Sequence, residues 1–154
     1  MKNILFILLI SVVGLSADYL KIGSKIDFLN NYKFETPKSR EMKIPKNTKT
    51  VLIAFDKDTG ALINEYLATK NKYFLQRNKA IYIADINKMP TVITNMFALP
   101  KLREYKHLIY LHYGEKFQNS VPKADEKITV VKFEDKKVKS ISYITTKEEL
   151  SKVF

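Results

Sequence analysis

No cysteine occurs in the 154-residue chain. Thiol–disulfide exchange needs a thiolate to attack sulfur, so that chemistry is excluded, and structural disulfides are excluded with it. Histidine occurs only at His107 and His112. A separation of five residues puts the two on opposite faces of a strand, and no zinc or haem ligand set can be assembled from them. Among four glycines there is no G-x-x-x-x-G-K-S/T, no G-x-G-x-x-G and no G-x-S-x-G nucleophile elbow. Arginine, the residue favoured for bidentate phosphate recognition, is limited to Arg40, Arg77 and Arg103. No dense basic run with interleaved aromatics appears, so specific nucleic-acid recognition is not expected.

Long apolar runs are also scarce, and the longest lies at the start. Lys2 is the only charge before an apolar run from Ile4 to Leu15, which Ser16 and Ala17 follow. A basic start, an apolar stretch of about a dozen residues and a small residue before a polar one form the pattern of a secretory signal peptide. A membrane helix needs about 20 apolar residues, and this run is interrupted by Ser11 and Gly14. Cleavage is expected after Ala17, although Leu15 is large for its place; the alternative is retention as an N-terminal anchor. With no cysteine after the run, a lipid-anchored lipoprotein is excluded. The expected organisation is a signal peptide at 1–17 and one domain at 18–154, exported to the periplasm and held together by packing alone.

What is abundant is lysine. The formal net charge is +11, one unit of which belongs to Lys2. The lysines are spread along the chain, as on a solvated basic surface, and association with an anionic envelope surface is the alternative reading.

The pattern of elements is legible. The alternation in Tyr19 to Gly23, Lys25 to Phe28 and Tyr32 to Glu35 predicts an N-terminal hairpin or a pair of short edge strands, with residues 37–49 as a loop. Val51 to Phe55 reads as a strand buried on both faces. Asp58 or Thr59 is placed to cap the helix that follows, whose stripe of Leu62, Ile63, Tyr66 and Leu67 continues to Tyr73 and Phe74. Ala80 to Ile86 is a second buried strand, which makes a right-handed parallel crossover. Pro90 starts another helix, with Val92, Ile93, Met96, Phe97 and Leu99 as its apolar face; Pro100 breaks it and opens a second short one. His107 to Tyr113 is a third strand, and one helical turn is expected around Phe117. Lys127 to Phe133 and Val138 to Ile144 form a hairpin across Glu134–Lys137. Thr146 and Glu149 make a capping box for a last helix bearing Leu150, Val153 and Phe154.

This order, strand–loop–helix first and hairpin–helix last, resembles the thioredoxin-like fold, and more narrowly the exported branch with TlpA-type and peroxiredoxin-type proteins. The segment Leu20 to Gly23 and the extra strand His107 to Tyr113 carry that narrower likeness. The resemblance implies a three-layer α/β/α domain with a mixed sheet of about five core strands plus the N-terminal hairpin. In redox members the cysteine pair follows the first strand, at places that fall here on Gly60 and Ile63. A cis-proline precedes the hairpin, at a place that falls near Lys127 or Ile128, with Pro122 several residues upstream. Both halves of the thiol site are therefore missing. Among cysteine-less relatives the pattern is similar to the YtfJ family, through the leader, the Met96-Phe97 pair and the terminal hairpin and helix; that likeness brings no mechanism.

Open α/β sheets bind ligands at the carboxyl ends of their strands. That edge holds Asp56, Lys57, Asp58, Thr59 and Gly60 after the first strand, Asp85 at the end of the second, and Lys127 before the hairpin. The expectation is a non-enzymatic binding surface for an envelope protein or a small ligand, with no cofactor. The alternative is a metal- or cofactor-assisted enzyme in which Asp56, Asp58 and Asp85 hold Ca²⁺ or Mg²⁺. Against it stands the ordinary reading, in which Asp58 caps the helix and the other two are solvated loop acids. The two histidines are expected to be structural or surface residues. The many tyrosines are expected in the core with hydrogen-bonded tips, a partner-binding aromatic patch being the alternative.

Overall fold

The computed structural model describes residues 18–154. The leader assigned to residues 1–17, with its cleavage point, lies outside the described residues. Among the described residues no helix is long and apolar enough to cross a membrane.

Leu20 is fully buried, and its N–H donates to the Ser120 carbonyl at 2.8 Å. Ile26–Asn31 is a 3-10 helix, where alternation suggested strand. Ile26 and Leu29 are its buried residues, and their spacing of three is the period at which 3-10 side chains eclipse. The expected pair of short strands lies further along. β1 (Phe34–Glu35) and β2 (Glu41–Met42) pair antiparallel, with β2 inside the segment expected to be loop. Strands this short carry too few residues for alternation to register.

β3 (Thr50–Ala54) is buried at every position, as its continuous apolar run requires. α1 (Lys57–Ala68) follows, capped by Asp56, whose carboxylate accepts from the Thr59 N–H at 2.8 Å. This corrects the cap expected at Asp58 or Thr59: Asp56 has the extended backbone that an N-cap needs (φ −145°, ψ 171°). Ile63, Tyr66 and Leu67 form the buried stripe. The helix stops at Ala68, with the Thr69 hydroxyl donating to the Tyr66 carbonyl at 2.7 Å. Tyr73 is therefore exposed, and Phe74 begins the separate one-turn α2 (Phe74–Arg77). β4 (Ala80–Asp85) is again wholly buried.

Pro90 precedes α3 (Thr91–Ile93), which runs through a π-helical turn at Thr94–Ala98 into α4 (Leu99–Glu104). Pro100 does sit in the first turn of α4, where its missing N–H is tolerated, but the two helices are joined by the π turn instead of being separated by a break. Leu99 N–H reaches back five residues to the Thr94 carbonyl. Leu99 faces the core, whereas Val92, Ile93, Met96 and Phe97, expected to share that face, are exposed, Met96 and Phe97 at 64% each.

β5 (Tyr110–His112) is shorter than the apolar run suggests. α5 (Glu115–Ser120) is the turn expected around Phe117, whose ring is fully buried. β6 (Ile128–Glu134) and β7 (Lys137–Ile144) form the hairpin, turning through Asp135 and Lys136 at φ 50° and 63°. Two central residues of positive φ are the mark of a type I′ turn. α6 (Lys147–Ser151) closes the chain behind the expected capping box of Thr146 and Glu149.

The sheet order is β2-β1-β5-β4-β3-β6-β7, with β3, β4 and β5 parallel and the outer pairings antiparallel. Alternate residues of each central strand enter different cores. Leu52, Ala54, Tyr82 and Ala84 pack with Ile63, Leu67, Leu99 and Leu150 under the helices. Val51, Ile53, Ile81 and Ile83 pack with Leu20, Leu29, Phe34 and Phe117 on the opposite face. The domain is a mixed α/β sheet covered on both sides, and the second cover is built from the 3-10 helix, the N-terminal segment and α5.

Candidate functional site

Register gathers the expected site residues at one edge. Ala54 pairs with Ala84, so the Asp56 loop and Asp85 emerge side by side where β3 and β4 end. β6 runs antiparallel to β3 with Ile53 opposite Thr129, which brings the start of β6, next to Lys127, to the same edge. Asp56, Lys57 and Asp58 are exposed, Thr59 is buried and Gly60 is half-buried. Lys127 is exposed, and its N–H closes a turn on the Ala124 carbonyl at 3.2 Å. The Pro122 carbonyl accepts from the buried Thr129 hydroxyl at 2.9 Å.

The places where a cysteine pair would stand are filled. Ile63 is fully buried in the helix-side core. At Gly60 an added Cβ would stand 3.4 Å from the Tyr82 hydroxyl, which itself lies 3.5 Å from the Gly60 carbonyl. Beneath this turn Asn64, on α1, bonds to His107 Nε2 at 2.8 Å through Oδ1. An amide oxygen only accepts, so Nε2 carries the hydrogen. Burial holds the His107 pKa down to about 4. Burial also pushes the Tyr82 hydroxyl well above the ordinary phenol range, with Tyr105 adding to it and a hydrogen bond from Asn64 opposing it. Both groups stay neutral near pH 7 and act as a packed polar girder between α1 and β4.

The acids do not behave as a set. Asp56 is spent on the cap, Asp58 is exposed, and Asp85 is buried at 8% exposure, so it is not a solvated loop acid. Among the described residues no three His, Cys, Asp or Glu side chains come together to hold a metal ion.

A different pairing emerges. Asp85 and His112 are register partners on β4 and β5, both more than nine-tenths buried. The strand pleat puts paired residues on one face, here the face of Phe34 and Phe117. Asp85 Oδ1 accepts from the Asn87 N–H at 3.0 Å, while Oδ2 has no partner. His112 Nδ1 lies 2.9 Å from the Lys33 carbonyl and must donate to it, while Nε2 has no partner. The ring is clasped by Tyr32, Phe34 and Phe117, with centroids 5.8, 5.7 and 5.2 Å away. A Cβ at Gly114 would stand 3.2 Å from Nε2. Burial raises the pKa of Asp85, against the Asn87 N–H and the positive fields of His112, Lys123 and Lys88. The two histidines do lie on opposite faces of the sheet, as their spacing implies. What spacing could not show is that one of them stands beside Asp85, because that depends on strand register.

No protein-family model matches the chain, and no curated protein matches it in sequence. Solved structures do match. A SCO1/SenC family lipoprotein from Bacillus anthracis superimposes with a TM-score of 0.51 at 9% identity, over 89% of this chain and 93% of that one. A peroxiredoxin-like protein from Aquifex aeolicus gives a TM-score of 0.46 at 9% identity, over 88% and 86%. At 9% identity the first of these likenesses speaks for fold alone, and the fold is thioredoxin-like.

Proposed function

We propose that the chain is an exported, periplasmic member of the thioredoxin-like superfamily, YtfJ-like in lacking cysteine, that serves as a non-enzymatic binding module. Its ligand or envelope-protein partner docks at the carboxyl edge of the sheet, over Asp56–Gly60, Asp85 and Lys127. The observation that carries this reading is the unpaired couple Asp85 Oδ2 and His112 Nε2. Buried polar atoms are rarely left without partners, and such exceptions call for an explanation. A carboxylate oxygen can only accept, so an approaching donor is what would satisfy Asp85 Oδ2. A ligand N–H or O–H, or a water that the ligand closes over, meets that need. The exposed Val92, Ile93, Met96 and Phe97, on the helix that leaves the same edge, add apolar contact area beside it.

The test is a pull-down from envelope extract with the wild-type domain and with Asp58→Lys and Asp85→Ala, repeated at raised salt. Loss of a salt-resistant partner from either variant supports the reading. If both variants keep every partner, the edge is not the binding site. Partners that vanish with salt alone point to surface charge instead.

A further inference from the structure

The opposite end of the sheet carries a second site. A cleft of about 730 Å³ opens where β3 and β4 begin, between the 46–50 segment, the β6–β7 turn and the residues after α6. That volume lies within the range of small-molecule sites. Six lysines line it, Lys46, Lys49, Lys79, Lys132, Lys136 and Lys139, against only two acidic side chains, Glu134 and Asp135. Glu134 is paired with Lys139 at 3.0 Å, which leaves five lysines facing Asp135 alone. Among the described residues, the other five lysines make no ion pair. Like charges gathered around a concave wall repel one another, and field lines focus in such a cleft, so it raises the local concentration of anions.

Three details distinguish this from a generally basic surface. Lys132 stands on the cleft floor, half-buried, with its ammonium donating to the Thr50 hydroxyl at 2.9 Å and to the Val153 carbonyl. Burial there lowers its pKa, a penalty that a bound anion would relieve. Lys79 and Lys136 are held at φ 50° and 63°, in the left-handed region that glycine or asparagine occupies more easily. Val153 and Phe154, half-buried against the helix-side core, give one wall an apolar character, with Asn47, Thr48, Asn78 and Ser140 as polar neighbours.

We propose that this cleft binds a small organic polyanion, carrying phosphate or carboxylate groups at the lysines and an apolar portion against Val153 and Phe154. Lysine suits the task because its ammonium acts as a point charge and binds phosphate without bidentate geometry. The site is independent of the carboxyl edge.

Amide-resolved NMR titrations test it, with pyrophosphate and citrate to separate phosphate from carboxylate, and phenyl phosphate against inorganic phosphate to probe the apolar wall. Binding should shift Thr48, Lys49, Thr50, Lys79 and Ser140, with phenyl phosphate tighter than phosphate. Lys49→Glu/Lys136→Glu should weaken pyrophosphate at least about tenfold, whereas Lys38→Glu/Lys116→Glu, with the same net charge but at exposed positions outside both sites, should change it less than about twofold at equal ionic strength. Equal weakening in the two variants, shifts spread over the whole lysine surface, or no saturable binding in the wild type would each overturn the proposal. The wild-type shift map decides even if a variant folds poorly.

Discussion

Replacing His107 by glutamine should remove a specific acid sensitivity from this fold. His107 sits at 7% exposure, donating from Nε2 to Asn64, and its pKa is held down to about 4 from an ordinary 6.5. A group whose folded pKa is depressed stabilises the fold above its unfolded pKa, and that contribution is lost as pH falls through the folded value. Here the window runs from the unfolded 6.5 down to about 4. Each pKa unit corresponds to about 1.4 kcal/mol, so moving from about pH 7.5 to about pH 5 should cost roughly 2 kcal/mol through this residue alone. Asp85 works in the opposite sense: its raised pKa means that stability is gained as pH falls through that folded value. The raw pH profile therefore mixes the two, and the difference between proteins isolates His107. Glutamine can still donate to Asn64 but does not titrate over this range. Urea melts of wild type and His107→Gln at the two pH values give the measurement. The wild type should lose about 2 kcal/mol more than the variant. Equal losses would refute the reasoning, and would mean that the ring is solvated or protonated in the folded state.

Two further substitutions probe assignments that sequence left open or misplaced. Asp56→Ala should lower stability by about 1 kcal/mol through loss of the bond to the Thr59 N–H, while Asp58→Ala should cost less than about 0.5 kcal/mol; thermal melts that reverse this order would return the cap to Asp58. Lys136→Gly should raise stability by about 1 kcal/mol by relieving a left-handed residue, and should at the same time weaken pyrophosphate binding in the cleft; a lower melting temperature would show that its backbone carries no strain.

Long, strongly patterned elements were legible from the residues. Val51 to Phe55 and Ala80 to Ala84 are apolar without interruption because both faces of those strands are covered, and burial of that kind is written in composition. The terminal hairpin and its capped helix were equally clear, since Thr146 and Glu149 satisfy backbone groups within their own turn. Short and shared features were not. The 3-10 helix at Ile26–Asn31 imitates alternation over a few residues, and two-residue strands have no period to detect. The cap fell on Asp56 and not on Asp58 or Thr59, because three neighbouring residues could all have capped and only backbone angle chooses among them. Met96 and Phe97, which an α-helical period places with the core, are exposed because they lie within the π turn Thr94–Ala98, where that period is broken.

The site divides in the same way. That the edge carries no thiol follows from composition alone, since no arrangement of this chain can supply a sulfur nucleophile. That Asp56, Asp85 and Lys127 share an edge follows from element order once the sheet is parallel at its centre. The pairing of Asp85 with His112, the burial of His107 under Asn64, and the gathering of six lysines into one cleft depend on register and on contacts between residues distant in the chain. Covalent chemistry and local periodicity belong to the sequence, because each needs only the residue or its near neighbours. Proximity, burial and field belong to the tertiary structure, because they arise only when strands far apart in the chain are set side by side.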